Sequence, residues 1–186
     1  MSELNIGIAG LGRLGKIHAE NIAFCLTGAR LAAACSIVPD ELTFAKNSLG
    51  VEYCLDSFTD LLKVPGLDAI AIVTSSGLHA AQIEQALDAG KHVFCEKPLG
   101  LTVDECRVAE RAVEKHPGLI FQLGFMRRFD PSYAYAKKKI DEGLIGKPYL
   151  VKTCGLDPIK FVEGALKFAP TSGGLFLDMA IHDIDA

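Results

Sequence analysis

The glycine-spaced turn Gly10-Leu11-Gly12-Arg13-Leu14-Gly15 restricts the possible folds more than any other feature. It sits between an apolar run, Leu4 to Ala9, and a helical pattern that begins near residue 14. A bare Gly-x-Gly-x-x-Gly string is weak evidence, but between a strand and a helix it is the phosphate-binding turn of a dinucleotide fold. Gly10 permits the tight turn, Gly12 has no side chain to hold off a pyrophosphate, and Gly15 lets the helix pack closely on the strand. Backbone N–H groups at the helix start, with the helix dipole behind them, then meet the anion. Gly10, Gly12 and Gly15, with Leu11, Arg13 and Leu14 between them, form the expected cofactor cradle.

The rest of the chain agrees with that turn. Apolar runs recur near residues 30–37, 68–73, 91–95 and 119–123, with no polar alternation, as expected of strands covered on both faces. Helical patterns lie between them at about 14–26, 40–49, 57–63, 78–89 and 102–115. This order predicts an α/β fold, a Rossmann doubly wound parallel sheet with right-handed crossovers. Several boundaries have a local cause. Pro39 followed by Asp40 and Glu41 marks a helix start, Gly90 a helix end, Thr102 with Glu105 a capping box, and His116-Pro117-Gly118 a stop. The alternation is lost after Gly124, and Pro131, Pro148, Pro158 and Pro170 follow at intervals. The expected division is therefore a dinucleotide-binding domain over 1–124 and the start of a second, α+β domain over 125–186. The latter is expected to hold a helix near 131–142, a strand near 148–154, an irregular stretch and a final helix from about Gly173, too little for an independent core.

Composition excludes several classes. A formal charge of -4 and an isoelectric point near 5.7 provide no general attraction to nucleic acid or anionic lipid, and Lys137-Lys138-Lys139 falls on a helical pattern where such a run is a solvated face. The six cysteines, Cys25, Cys35, Cys54, Cys95, Cys106 and Cys154, are scattered without a Cys-x-x-Cys pair and read as free thiols of a reducing compartment, with no metal site. The N-terminus enters a strand pattern at once and no run approaches a membrane span, so the expected location is the cytoplasm.

Ligands of open α/β sheets bind outside the carboxyl ends of the strands. The position where an acid usually meets the adenosine ribose holds Ser36, which can donate a hydrogen bond to a 2'-phosphate and can equally serve a 2'-hydroxyl. With Arg13 close to the same place, NAD and NADP both remain open. Thr74, Ser75 and His79 follow the run ending at Val73, and Glu96-Lys97-Pro98 follows the run ending at Cys95. Pro98 biases Lys97 away from helix, so the chain turns with Lys97 at the mouth of the crevice. His79, near a helix start, has a structural reading as well as a ligand-binding one. Asp178 and His182 are spaced i, i+4 in the last helical segment, where the carboxylate can orient and polarise an imidazole that exchanges a proton with a hydroxyl. A surface ion pair is the structural alternative.

Read together, the stretch Ala9 to Asn21, Glu96-Lys97-Pro98-Leu99, Gly124 to Asp130 and Gly173 to Asp183 resemble the glucose-fructose oxidoreductase and inositol dehydrogenase (Gfo/Idh/MocA) family, and within it the inositol 2-dehydrogenases. The resemblance implies an NAD- or NADP-dependent dehydrogenase acting on the CH–OH of an inositol, another polyol or a sugar, with a second domain that mediates dimers or tetramers. It implies Lys97, Asp178 and His182 as catalytic residues: His182 takes the hydroxyl proton, Lys97 steadies the developing oxyanion, and Asp178 holds His182. Arg127 and Arg128 match an arginine pair near nicotinamide and substrate. Ser36 departs from the acid common in NAD-using members. The chain also ends just after His182, so it is expected to be a fragment or a short relative. The same resemblance covers non-catalytic dinucleotide-binding regulators, but a sensor needs the cradle and not the residues of a proton relay.

Overall fold

The absence of polar alternation in the strands has its explanation in two apolar clusters, one on each face of the central sheet. The structure, a computed structural model, describes residues 3–156 and 158–186. The chain divides into two compact units, the first running to Leu123 and the second from Gly124 to Ala186.

In the first unit, β1 (Leu4–Ala9), α1 (Arg13–Phe24), β2 (Ala29–Cys35), α2 (Pro39–Leu49), β3 (Tyr53–Leu55), the single turn α3 (Phe58–Leu61), β4 (Ala69–Ile72), α4 (His79–Asp88), β5 (His92–Glu96), α5 (Val103–Lys115) and β6 (Phe121–Gly124) follow in order. The sheet has the spatial order β3-β2-β1-β4-β5-β6. The ladders β1 to β2, β1 to β4, β2 to β3 and β4 to β5 are all parallel. Strand alternation distributes the side chains. Ile8, Ala34 and Ala71 enter the cluster that includes Ala19 and Ile22 of α1 and Ala45 of α2. Ala9, Ala33, Cys35, Ile70 and Ile72 enter the other, with Ile83 and Leu87 of α4 and Ala109 and Ala112 of α5. The run Ala32-Ala33-Ala34 is almost wholly buried, and its small side chains let helices close on both sides.

The local signals act as expected at several ends. Pro39 opens α2 with Asp40 and Glu41 in its first turn, and Gly50 closes it in the left-handed conformation. Thr102 and Glu105 form the reciprocal capping box of α5, and Gly90 takes a positive φ of 74° just after α4.

The second unit holds a 3₁₀ turn at Met126–Phe129, then α6 (Pro131–Asp141), α7 (Val162–Phe168) and, after a π-helical stretch at Phe176–Ala180, α8 (Ile181–Asp185). The Asp130 carboxylate caps α6 by accepting from the Ser132 N–H at 2.8 Å. One expectation is corrected here. The strand near 148–154 is not formed: these described residues make no ladder and Tyr149 is 98% exposed, because an extended segment without a neighbour leaves its N–H and C=O groups to water. The final helical segment begins at Leu175, close to the expected start, because Gly173 and Gly174 take φ values of 80° and 88°, outside the right-handed helix. The lysines of the basic run pair with acids of the same helix: Lys137 with Asp141, and Lys139 with Glu142 at 2.7 Å. Among the described residues no helix is long and apolar enough to cross a membrane.

Candidate functional site

Because β1, β4 and β5 run parallel, their carboxyl ends at Ala9, Ile72 and Glu96 lie on one edge of the sheet. The glycine turn begins there. Gly10 has a φ of +89°, and a Cβ added to it would sit 2.4 Å from the Val73 carbonyl oxygen. A Cβ at Gly15 would sit 2.0 Å from the Gly10 carbonyl oxygen. Both positions exclude any side chain by contact with backbone. Gly12 differs: a Cβ there meets nothing within 4 Å, so its missing side chain leaves open space at the start of α1. The first N–H groups of a helix lie outside its intrahelical ladder, and Gly12 brings no side-chain cap to occupy them. Tight packing at Gly10 and Gly15 with open room at Gly12 fits a dinucleotide pyrophosphate.

The other cradle residues divide by burial. Leu11 is fully buried in the cluster with Ile8 and Ala19, so only its backbone is left for a ligand. Leu14 is half-buried and Arg13 is exposed on the first turn of α1. The cradle is tied to the end of β2 by the Gly10 N–H, which donates to the Cys35 carbonyl at 2.9 Å. Ser36, the next residue, is only 6% exposed. Its hydroxyl donates to Glu41 Oε2 at 2.5 Å and accepts from the Val38 N–H at 3.1 Å. In this arrangement the Ser36 proton points to a carboxylate carried by the following helix.

At the end of β5, the Lys97–Pro98 peptide bond is cis. The Glu96 carboxylate is largely buried. His18 Nε2 of α1 lies 2.8 Å from its Oε1, and the Lys97 N–H donates to its Oε2 at 3.2 Å. The His18 ring in turn leans on Phe94, with centroids 5.4 Å apart. Glu96 therefore braces the backbone of Lys97 against the helix that carries the cradle.

Thr74 turns its hydroxyl to Gln82 Oε1 at 2.6 Å, and Ser75 is exposed at the start of a 3₁₀ turn. His79 is 1% exposed; its Nδ1 lies 2.7 Å from the Pro98 carbonyl oxygen and its Nε2 3.1 Å from that of Thr74. Both ring nitrogens thus face backbone, and the imidazole clamps the segment after β4 to the turn after β5.

In the second unit, Asp178 lies in the π-helical stretch and His182 in α8. Wider turns of this kind recur at functional sites. Arg127 pairs with Asp183, and Arg128 grips Asp185 with Nε and Nη2 at 2.9 and 2.6 Å. These charge-assisted bonds hold the helix bearing His182 against the turn at 126–129, and each raises the proton affinity of its guanidinium.

Glu41, His18, Asp183 and Asp185 were not evident as site residues in the sequence. Asp183 and Asp185 flank His182, but their partners lie 56 and 57 residues away. His18 is 78 positions from Glu96, and only the sheet order brings the two together.

Comparison with known proteins gives the same assignment. The pattern of an oxidoreductase family with an NAD-binding Rossmann fold matches residues 4–125. The chain is 40% identical over 185 residues to scyllo-inositol 2-dehydrogenase (NAD(+)) of Bacillus subtilis, covering 98% of this chain and 52% of that protein. It is 38% identical to myo-inositol 2-dehydrogenase of Thermotoga maritima, covering 98% of this chain and 53% of that one. Among solved structures, scyllo-inositol dehydrogenase from Lactobacillus casei with bound cofactor NAD(H) and scyllo-inositol superposes with a TM-score of 0.94 at 52% identity. That match covers 99% of this chain and 55% of the other. The chain thus spans about half the length of the relatives it matches. The match of cradle, sheet order and overall sequence shows that the chain belongs to the Gfo/Idh/MocA oxidoreductase family and carries its NAD-binding Rossmann fold.

Proposed function

We propose that this chain supplies the dinucleotide-binding domain, residues 1–124, and the first catalytic segment of the substrate domain, 125–186, of an NAD-dependent dehydrogenase. Its substrate is the CH–OH group of an inositol or a closely related polyol. The observation that carries the reading is the cradle, closed at Gly10 and Gly15 and open at Gly12, on the strand edge that also presents Lys97. NAD, when bound, supplies the hydride acceptor. The chain's own residues do the rest: the helix start at Gly12 to Gly15 holds the pyrophosphate, and Thr74 and Ser75 border the same edge. Lys97 steadies the charge that grows on the substrate oxygen, and His182 takes the hydroxyl proton. Asp178 orients His182, while Arg127 and Arg128 fix the helix beneath it through Asp183 and Asp185. His79 and Glu96 act on Lys97 from behind. The inositols named for the relatives at 38 to 40% identity support the substrate class.

The test is kinetic. In the protein that contains this chain, Lys97→Ala and His182→Ala are expected to lower inositol-dependent NADH formation by on the order of 10²- to 10⁴-fold, with the NAD Kd within about twofold of the parent. Parent-like turnover in His182→Ala would remove that residue from proton transfer. Failure of the parent to oxidise any inositol would remove the substrate class.

A further inference from the structure

We infer that Glu41, a residue of α2, selects NAD over NADP in this chain, in place of an acid at the end of β2. The inference rests on the dinucleotide reading above and goes further, to the residue that decides between the two cofactor forms.

The strand end that faces the adenosine ribose in a fold of this type carries Ser36, which has no charge with which to repel a 2'-phosphate. The charge comes instead from five residues further on. Glu41 occupies the first turn of α2, and its Oε2 lies 2.5 Å from Ser36 Oγ, so the carboxylate is anchored at the strand end it does not belong to. The anchor is itself held, because the Val38 N–H donates to the same Ser36 oxygen at 3.1 Å. Cys35, the neighbour of Ser36, accepts from the Gly10 N–H at 2.9 Å, which places this carboxylate beside the phosphate cradle.

Exposure assigns the roles. Ser36 is buried, whereas Glu41 is half-exposed, so the group presented to a ligand is the carboxylate. Among the described residues no lysine or arginine forms an ion pair with Glu41, so its charge is not neutralised by a partner. An ionised carboxylate accepts hydrogen bonds only, which suits the donor of a 2'-hydroxyl and repels the oxygens of a 2'-phosphate. Arg13, exposed on the first turn of α1, would act in the opposite sense. The carboxylate is held at the strand end by its bond to the Ser36 hydroxyl, so its charge stays beside the place of the ribose. Asp40 provides an internal control: it adds a second carboxylate to the same helix start but makes no bond to Ser36.

The test is calorimetric titration of the 186-residue chain and two variants with NAD+ and NADP+. The parent is expected to bind NAD+ at least tenfold more tightly. Glu41→Gln, which keeps shape and removes charge, is expected to shrink the ratio of the two Kd values by about tenfold, mainly through tighter NADP+ binding. Asp40→Asn, which removes an equal charge from the same helix start, is expected to leave the ratio within about twofold. An unchanged ratio in Glu41→Gln, an equal shift in Asp40→Asn, or a parent that binds NADP+ as well as NAD+ overturns the inference while the dinucleotide reading stands. Binding of neither form by a folded parent overturns both.

Discussion

Burial pushes the Cys35 thiol up to about 11, with the nearby Asp56 charge adding to the effect, and burial pushes Cys95 higher still. A thiol reacts as its thiolate, so these two cysteines are inert near neutral pH whatever their number in the sequence suggests. Cys25 and Cys154 are exposed. Brief alkylation of the native chain, read by peptide mass spectrometry, is expected to label Cys25 and Cys154 and to spare Cys35 and Cys95. Labelling of Cys95 at the rate of Cys25 would contradict the buried environment. The same shifts set an alkaline limit to stability. The folded thiols hold their protons above the unfolded value, so their contribution is complete below about pH 8.5 and is lost as pH rises through the folded values. Urea midpoints are expected to fall between about pH 8 and pH 10.5, and Cys35→Ala is expected to reduce that slope. The cradle was fully legible at this scale because its glycines are local and each has a steric cause. Ser36 shows in the sequence as a position without an acid, but its bond to Glu41 does not, because Glu41 also satisfies the ordinary preference for acids at a helix start. Sequence alone does not tell which way such a side chain points.

Strands buried on both faces make the core of the first unit sensitive to single changes. Ile70 of β4 is fully buried among residues of the cluster that α4 and α5 close. Ile70→Ala is expected to cost about 2–5 kcal/mol, from lost transfer energy and the cavity left behind. At a helix end the cost is smaller: Asp130→Ala removes the cap of α6 and is expected to cost about 1 kcal/mol, confined to the second unit. Denaturant titration of the two variants checks both, and a fully stable Ile70→Ala would show that the sheet is not packed as described. Legibility followed the same physics. Strands β1, β2, β4 and β5 announce themselves because burial on both faces demands continuous apolar runs. Strand β3 was missed because three residues, Tyr53 to Leu55, are too few to show a pattern. The segment 148–154 has the composition of a strand but no ladder here, and α7 forms in a stretch whose sequence predicts irregular structure.

At the scale of the whole molecule, the second unit leaves large apolar side chains in solvent. Tyr149, Leu150, Val151, Phe176 and Ile184 are each more than 70% exposed. Surfaces of this kind are covered by other chains more often than by water. The 186-residue chain is expected to self-associate as its concentration rises, and sedimentation velocity that shows only monomer at every concentration would refute this. The clamp at His79 has a different reach. One imidazole touches the carbonyls of Thr74 and Pro98, so two loops separated by more than twenty positions in the chain share a single mechanical support. A redesign of the loop after β4 will therefore be felt at Lys97, even when no altered residue touches it. Loop exchange between relatives should move the 74–79 and 96–99 segments together, as one transplantable part.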